Sequence, residues 1–114
     1  LPAGARALGD FAIEDAPIVF GLVHTDSNHH VNSLVYIRLF EEAALRRFST
    51  LGRTDAVLAR KLEIAYRKPC FAGERMRLHV QAIEHEGALG AVCAIAPEGT
   101  PASGAHAVAR LLFA

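Results

Sequence analysis

The amino-acid sequence predicts an α+β domain in which a curved antiparallel sheet of about five strands wraps around one long central helix. Three observations lead to this prediction. Residues 33–49 repeat apolar side chains at the spacing of a helix. The first half of that segment is apolar nearly all round, which is typical of a helix buried in a core. One strand pattern precedes the segment, and further strand patterns joined by short turns follow it.

The chain is long enough for one domain but not for two, since it has 114 residues. Apolar residues make up 52% of it and charged residues 21%, which is typical of a compact globular protein. Residues 1–16 start with a run rich in Ala, Gly and Pro and are predicted to be a lead-in or linker, in which 11–15 form a short strand or an extended arm. Residues 17–114 are predicted to form the single domain.

The first predicted elements are a strand and the helix. Residues 18–23 are mainly β-branched and aromatic, which favours a strand. The polar loop 24–32 then leads into the helix at 33–49, and the side chains of Asn32 and Ser33 are both suitable for its N-cap. The stripe predicted to face the core recurs at every fourth position: Tyr36, Phe40, Ala44 and Phe48.

Four strands are predicted after the helix. Apolar and polar residues alternate with a period of two in 57–67 and again in 75–82. Residues 88–96 are small and apolar almost without interruption, which indicates a central strand. Residues 103–114 alternate again and form the last predicted strand.

Charge and hydropathy exclude two classes of partner. Lys plus Arg and Asp plus Glu both total 12, so the formal net charge is zero. The chain therefore lacks the positive electrostatic field that would attract nucleic acids or anionic membranes. It also lacks an apolar run of the ~18 residues that a membrane span needs. We predict neither a nucleic-acid partner nor a membrane partner.

The cysteines and the first residues bear on the cellular setting. Two cysteines, Cys70 and Cys93, are too few for a disulfide framework, and a reduced, cytoplasmic setting is expected. No basic region followed by an apolar stretch opens the chain, so no signal peptide is predicted. Leu1 stands where a Met would, which fits a segment of a longer polypeptide. The high apolar fraction favours self-association.

A cluster of polar residues directly precedes the predicted helix. Residues 26–42 read DSNHHVNSLVYIRLFEE. This run resembles the signature of the hotdog-fold acyl thioesterases, which is roughly D-x-N/G-x-H-V-N-N-x-x-Y followed by a Glu six residues after the Tyr. Ser33 departs from the signature because it stands at the second Asn. The residues that match it are Asp26, Asn28, His30, Val31, Asn32, Tyr36 and Glu42.

Two branches of that family share further residues with the chain. The Asn-x-His form of the signature is most similar to the acyl-carrier-protein thioesterases, and the FEEA run at 40–43 is similar to the 4-hydroxybenzoyl-CoA thioesterases. The run LEIAYRKPC at 62–70 resembles a Y-R-R-E-C segment of the carrier-protein branch. Pro69 departs from that segment, because it stands at the acidic residue. The matches there are Tyr66, Arg67 and Cys70.

The resemblance implies a hotdog fold and a site shared between subunits. The hotdog fold has one strand, one helix and then four strands, which is the order predicted above for this chain. It implies a homodimer, a higher homo-oligomer or a tandem pair of hotdogs, with the active site between two subunits at the helix N-terminus. The implied reaction is hydrolysis of an acyl thioester carried by coenzyme A or by acyl carrier protein.

The residue types before the helix suit this chemistry. The carboxylate of Asp26 can activate water or attack the thioester carbonyl directly, although Asp is also a common turn residue. Asn28 can orient a water molecule or bind the carbonyl, although it also suits a left-handed loop position. His30 can act as a general base or hold Asp26 in place, or it can be a structural histidine that ties the loop to the backbone.

The start of the predicted helix offers donors for an oxyanion. Free backbone N–H groups around Val31 to Leu34, among them those of Asn32 and Ser33, can bind the thioester oxygen, with help from the helix dipole. The alternative is that the Asn32 side chain simply caps these donors.

Two further residues are possible supports for the site. Glu42 lies two to three turns into the helix, where pairing with Arg46 is the stronger alternative. Cys70 as a nucleophile needs His30 nearby, and otherwise it is a small buried apolar residue.

No metal and no cofactor are predicted. His24, Asp26, His29 and His30 have the ligand types of a zinc site, but their spacing matches no zinc motif. Scattered basic residues can meet the phosphates of coenzyme A or an acidic carrier protein, although strand arginines usually lie on solvated faces. They are Arg60, Arg67, Lys68, Arg75 and Arg77.

A different function class stays open. The chain can be a hotdog that binds an acyl group or acyl-CoA without catalysis, or the structural half of a tandem hotdog enzyme. A dehydratase of the same fold is a third alternative, but the catalytic His motif expected for it is absent from the sequence.

Overall fold

One long helix packs against a six-stranded antiparallel sheet. The computed structural model describes residues 4–25, 31–53 and 59–113. The elements are β1 (Ala5–Ile13), β2 (Ile18–Val19), α1 (Ser33–Thr50), β3 (Ala59–Tyr66), β4 (Arg75–His85), β5 (Ala88–Pro97) and β6 (Ala107–Phe113). The strand order is β1-β4-β5-β6-β3, and β2 pairs with β4. The predicted α+β class, a curved sheet around one helix, is confirmed.

The boundaries of α1 follow from its terminal residues. The helix begins after Asn32, whose side-chain Oδ1 accepts a hydrogen bond of 2.9 Å from the Leu34 N–H. It ends before Gly52, which adopts a left-handed φ of 77° that favours glycine. The predicted stripe is confirmed, because the buried residues of α1 are Tyr36, Phe40, Ala43, Ala44 and Phe48. Among the described residues, no helix combines the length and apolar character needed to cross a membrane.

The core lies between α1 and the concave face of the sheet. Alternate residues of the three central strands point toward the helix, as the period of two requires. Leu78 and Val80 on β4, Ile95 on β5 and Leu111 on β6 are all at most 1% exposed and belong to one cluster with Phe40. Phe40 is completely buried, so the sheet covers the face of α1 that carries this side chain.

The start of the chain differs from its prediction as a lead-in. Ala5–Ile13 forms β1, which pairs with β4, so residues 1–16 are not simply a linker. Its register shifts between Leu8 and Ala12, and Gly9 within that bulge has a φ of 67°. The bulge breaks the alternation of buried and exposed residues, and the period of two is therefore absent from the sequence here.

Two predicted strands are shorter than expected. The strand predicted at 18–23 is only Ile18–Val19, because Leu22–His24 forms a 3-10 turn. The strand predicted at 103–114 begins at Ala107, because Ala102–Gly104 forms another 3-10 turn. The other predicted strands agree with β3, β4 and β5 in position.

Candidate active site

The segment before α1 is closed by contacts between its two ends. Thr25 and Val31 form an isolated antiparallel bridge, and the Asn32 N–H donates to the His24 carbonyl at 2.8 Å. Residues 26–30 lie between these two anchors in the sequence but outside the described residues, and with them the three predicted catalytic residues, Asp26, Asn28 and His30. The described contacts therefore bring together the two chain segments that flank the predicted catalytic residues.

Most backbone donors at the start of α1 already have acceptors. The Val31 N–H donates to the Cys70 carbonyl at 2.8 Å, and the Asn32 N–H to the His24 carbonyl. The Leu34 N–H donates to the Asn32 side chain. The expectation that the N–H groups of Val31, Asn32 and Leu34 are free is therefore wrong. The alternative, capping by the Asn32 side chain, is observed at Leu34. Only the Ser33 N–H at this helix start has no acceptor among the described residues.

A cleft opens beside these donors. It has a volume of about 580 Å³ and lies between the start of α1 and the end of β3. Its aromatic floor is an edge-to-face pair of Tyr36 and Tyr66, whose ring centroids are 5.4 Å apart. Tyr36 is buried, whereas Tyr66 is half exposed. The residues that line the cleft are Val31, Asn32, Ser33, Tyr36, Tyr66, Arg67, Lys68 and Pro69.

The structure separates the basic residues that the sequence grouped together. Arg75 and Arg77 pair with the Glu98 carboxylate at 3.2 and 3.0 Å, which lowers the pKa of that carboxyl, Arg77 more than Arg75. Arg67 and Lys68 instead line the cleft and have no ion pair with any described residue. Arg60 is exposed on β3 and does not line the cleft. Of the five basic residues, the cleft therefore brings together Arg67 and Lys68.

Cys70 lies behind the cleft wall. Its side chain is fully buried, and its Sγ lies 3.5 Å from Nδ1 of His106. Burial raises the pKa of the Cys70 thiol, although the hydroxyl of Tyr36 opposes that shift. A buried thiol of raised pKa carries little thiolate at neutral pH, so these contacts favour a structural role over a nucleophilic one.

His106 is the site neighbour that the sequence did not indicate. It is 36 residues from Cys70 in the chain, and it reaches Cys70 because β6 pairs with β3. Its carbonyl also accepts hydrogen bonds from the N–H groups of Arg67 and Lys68, at 2.8 and 3.1 Å. No local spacing signals such a contact, because it depends on strand pairing.

Glu42 is remote from the cleft within this chain. It is exposed on α1, where its carboxylate lies 3.8 Å from the Arg46 guanidinium. The cleft-lining residues do not include it. The pairing with Arg46, which was the alternative to a supporting role, is observed.

No metal site is found within the described residues. There, no group of three or more His, Cys, Asp or Glu side chains is arranged to hold a metal ion. Nδ1 of His24, one of the four residues considered as zinc ligands, accepts a hydrogen bond of 3.0 Å from the Gly21 N–H. That nitrogen is therefore engaged within its own turn.

A protein-family model matches more than half of the chain. It is described as thioesterase superfamily and matches residues 28–93. This range starts within the predicted catalytic segment and ends in β5. No curated protein sequence matches the chain.

Solved structures share the fold at low sequence identity. A probable thioesterase from Bartonella henselae is 15% identical, with coverage of 93% of this chain and 90% of that one, at a TM-score of 0.76. Zebrafish thioesterase superfamily member 2 is 14% identical, with coverage of 97% and 80% and a TM-score of 0.74. A thioesterase from Thermus thermophilus, complexed with coenzyme A and Zn, is 17% identical, with coverage of 86% and 75% and a TM-score of 0.71. These likenesses show that the architecture recurs in other proteins.

Proposed function

Because the chain belongs to the thioesterase superfamily and is thus a thioester hydrolase with the hotdog fold, we propose that it hydrolyses acyl thioesters of coenzyme A. The proposed site is the cleft at the start of α1. One observation carries this choice. A cleft with an aromatic floor and two cationic side chains lies beside the Ser33 N–H, which has no acceptor among the described residues.

Asp26 supplies the attacking group in this proposal. Its carboxylate either removes a proton from water or attacks the thioester carbonyl itself. The carbon–sulfur bond then breaks, the thiolate leaves and takes up a proton, and the acyl group is released as a carboxylic acid after water has added. Asn28 and His30 support this step by orienting the water and the carboxylate. The support for these roles is the match to the signature, together with the bridge of Thr25 and Val31 on either side of the segment.

The Ser33 N–H is the proposed oxyanion donor. Negative charge develops on the thioester oxygen as the carbonyl is attacked. A donor in the first turn of α1 also benefits from the positive end of the helix dipole. The neighbouring donors of Val31 and Asn32 act indirectly, since their bonds to the Cys70 and His24 carbonyls hold the helix start in place.

The cations of the cleft favour coenzyme A as the carrier. Arg67 and Lys68 line the cleft and have no ion pair with a described residue, so they are available to bind the phosphates of coenzyme A. The structurally similar Thermus thermophilus thioesterase was crystallised with coenzyme A, which agrees with this choice. An acyl carrier protein presents the same thioester arm on an acidic surface, and it is the competing substrate in the test below.

A homodimer, or a larger homo-oligomer, completes the site in this proposal. Among the described strands, β3 pairs with β6 along one edge and has no strand on the other. Tyr66 at its end is exposed and also lines the cleft. A second copy that pairs along this edge extends the sheet and covers the cleft, and Glu42 of α1 is then a candidate for a supporting role in the partner's site.

The free thiols of Cys70 and Cys93 agree with a cytoplasmic location.

The test is thiol release from matched substrates. Wild-type protein is assayed with acyl-CoA of several chain lengths and with the corresponding acyl carrier proteins, and Asp26→Asn is compared with Asp10→Asn, which changes an exposed carboxylate on β1. We expect wild type and Asp10→Asn to release thiol from acyl-CoA and Asp26→Asn to lose at least a hundredfold in kcat. A preference for the carrier-protein substrates contradicts the choice of coenzyme A. Binding of acyl-CoA without release of any thiol contradicts hydrolysis and supports a non-catalytic acyl-binding protein.

A further inference from the structure

We infer that the Tyr36 hydroxyl is a positioning group for this reaction. It accepts a hydrogen bond from Cys70, which lies directly behind the cleft wall formed by residues 67–69, and so connects that wall to the start of α1. The inference rests on the proposed function, since it concerns how the same cleft is held in shape. Tyr36 lies one turn into α1 and is 3% exposed. Burial raises the pKa of its hydroxyl, so the side chain stays a neutral phenol that can accept a hydrogen bond.

Two hydrogen bonds connect this hydroxyl to the residue before the N-cap. The Cys70 N–H donates to the Tyr36 hydroxyl oxygen at 3.1 Å. The Cys70 carbonyl in turn accepts the Val31 N–H at 2.8 Å. Val31 directly precedes Asn32, which caps α1. The Tyr36 side chain therefore reaches back through the Cys70 backbone to the turn from which its own helix starts.

The wall of the cleft is held from its other side as well. The N–H groups of Arg67 and Lys68 donate to the His106 carbonyl, and the Cys70 thiol faces the His106 imidazole at 3.5 Å. Through Cys70, the Tyr36 side chain joins this wall to α1 in addition to the bond from the Val31 N–H, whereas His106 joins the wall to the start of β6. Loss of the Tyr36 bond thus leaves the wall attached to the sheet but less firmly attached to the helix start.

Water is a poor substitute for the missing hydroxyl. Cys70 is fully buried, so its N–H would be left without an acceptor in Tyr36→Phe. The segment 67–70 can regain hydration only by moving away from α1. Such a movement changes the distance between the cations on the wall and the Ser33 N–H. A displacement of about 1 Å in a catalytic geometry can reduce the rate by about a hundredfold.

The experiment compares Tyr36→Phe with a variant that is destabilised elsewhere. Phe48→Leu weakens the edge-to-face pair of Phe48 and Phe113, whose centroids are 5.1 Å apart, and it lies about 18 Å further along α1. Both variants are assayed with the best acyl-CoA substrate of the wild type, well below their melting temperatures. We expect Tyr36→Phe to lower kcat by about ten- to a hundredfold with KM within about threefold of wild type. Phe48→Leu should leave kcat unchanged at a similar loss of melting temperature.

The outcomes separate this inference from the proposed function. If wild-type protein hydrolyses no thioester, the proposed function fails, and with it the basis of the inference. If wild type is active and Tyr36→Phe keeps its kcat while the melting temperature falls, the hydroxyl is only structural and the inference is overturned. Amide hydrogen exchange of wild-type protein gives a second measurement that needs no variant. The Cys70 N–H should be as protected as those of β4, and exchange at the rate of an exposed loop overturns the inference.

Discussion

The N-cap of α1 allows stability and catalysis to be separated by two substitutions at one position. Asn32 accepts the Leu34 N–H through Oδ1 at 2.9 Å and is exposed in the cleft. Asn32→Ala removes this acceptor, which typically costs about 1 kcal/mol of unfolding free energy. For a chain of this size the expected fall in melting temperature is about 4 °C. Asn32→Asp keeps the acceptor and adds an anion at the positive end of the helix dipole, so stability should be retained or slightly raised.

Activity should respond in the opposite sense. In the Asn32→Asp variant, an oxyanion at the Ser33 N–H would lie about 5 Å from the introduced carboxylate, and the repulsion at an effective dielectric constant of about 20 is about 3 kcal/mol. Asn32→Asp should therefore lower kcat by about a hundredfold, whereas Asn32→Ala should lower it much less. Thermal unfolding and steady-state thiol release on the same preparations measure both quantities. An Asn32→Asp protein with wild-type kcat would refute the placement of the oxyanion at Ser33.

Three further predictions follow from burial and charge. Phe40→Ala should lower the unfolding free energy by about 3–5 kcal/mol in urea titrations, because Phe40 is fully buried; a change below about 1 kcal/mol would contradict the core described above. Arg67→Ala and Lys68→Ala should each raise KM for acyl-CoA, and the increase should be larger at low ionic strength. Arg75→Ala should not raise KM, because Arg75 is paired with Glu98. Equal effects on KM at all three positions would contradict the binding of phosphates by Arg67 and Lys68. Burial lowers the pKa of His79, so the folded state disfavours the charged imidazole and the stability of the protein should fall as the pH drops below about 6.5. His79→Leu should lose this dependence of the melting temperature on pH. An equal fall of the melting temperature with pH in both proteins would contradict this role of His79.

Much of the fold is predictable because it depends on local periodicity. The stripe of α1 and the alternation in β3 and β4 are visible in any short window of sequence. The structure confirms the stripe and the burial of Met76, Leu78, Val80 and Ala82 on β4. His79, on the predicted polar face of β4, is buried as well. β1 is not visible in this way, because its bulge at Gly9 interrupts the period and its stability comes from pairing with β4. A strand whose pattern is broken can be recognised only once its partner is known.

The sequence by itself determined the long buried helix, the two residues between which its N-cap lies and the polar signature before it, since each depends on neighbours within a few residues. It also placed Asn32 and Ser33 at the helix start, and the likeness to the thioesterase signature pointed to the superfamily that the family comparison shows. Only the tertiary structure decided which groups at that helix start are available. The Val31 N–H is occupied by the Cys70 carbonyl, and Cys70 is in turn held by Tyr36 and His106, because hydrogen bonds between residues more than 30 positions apart form only when the helix and the strands have packed together.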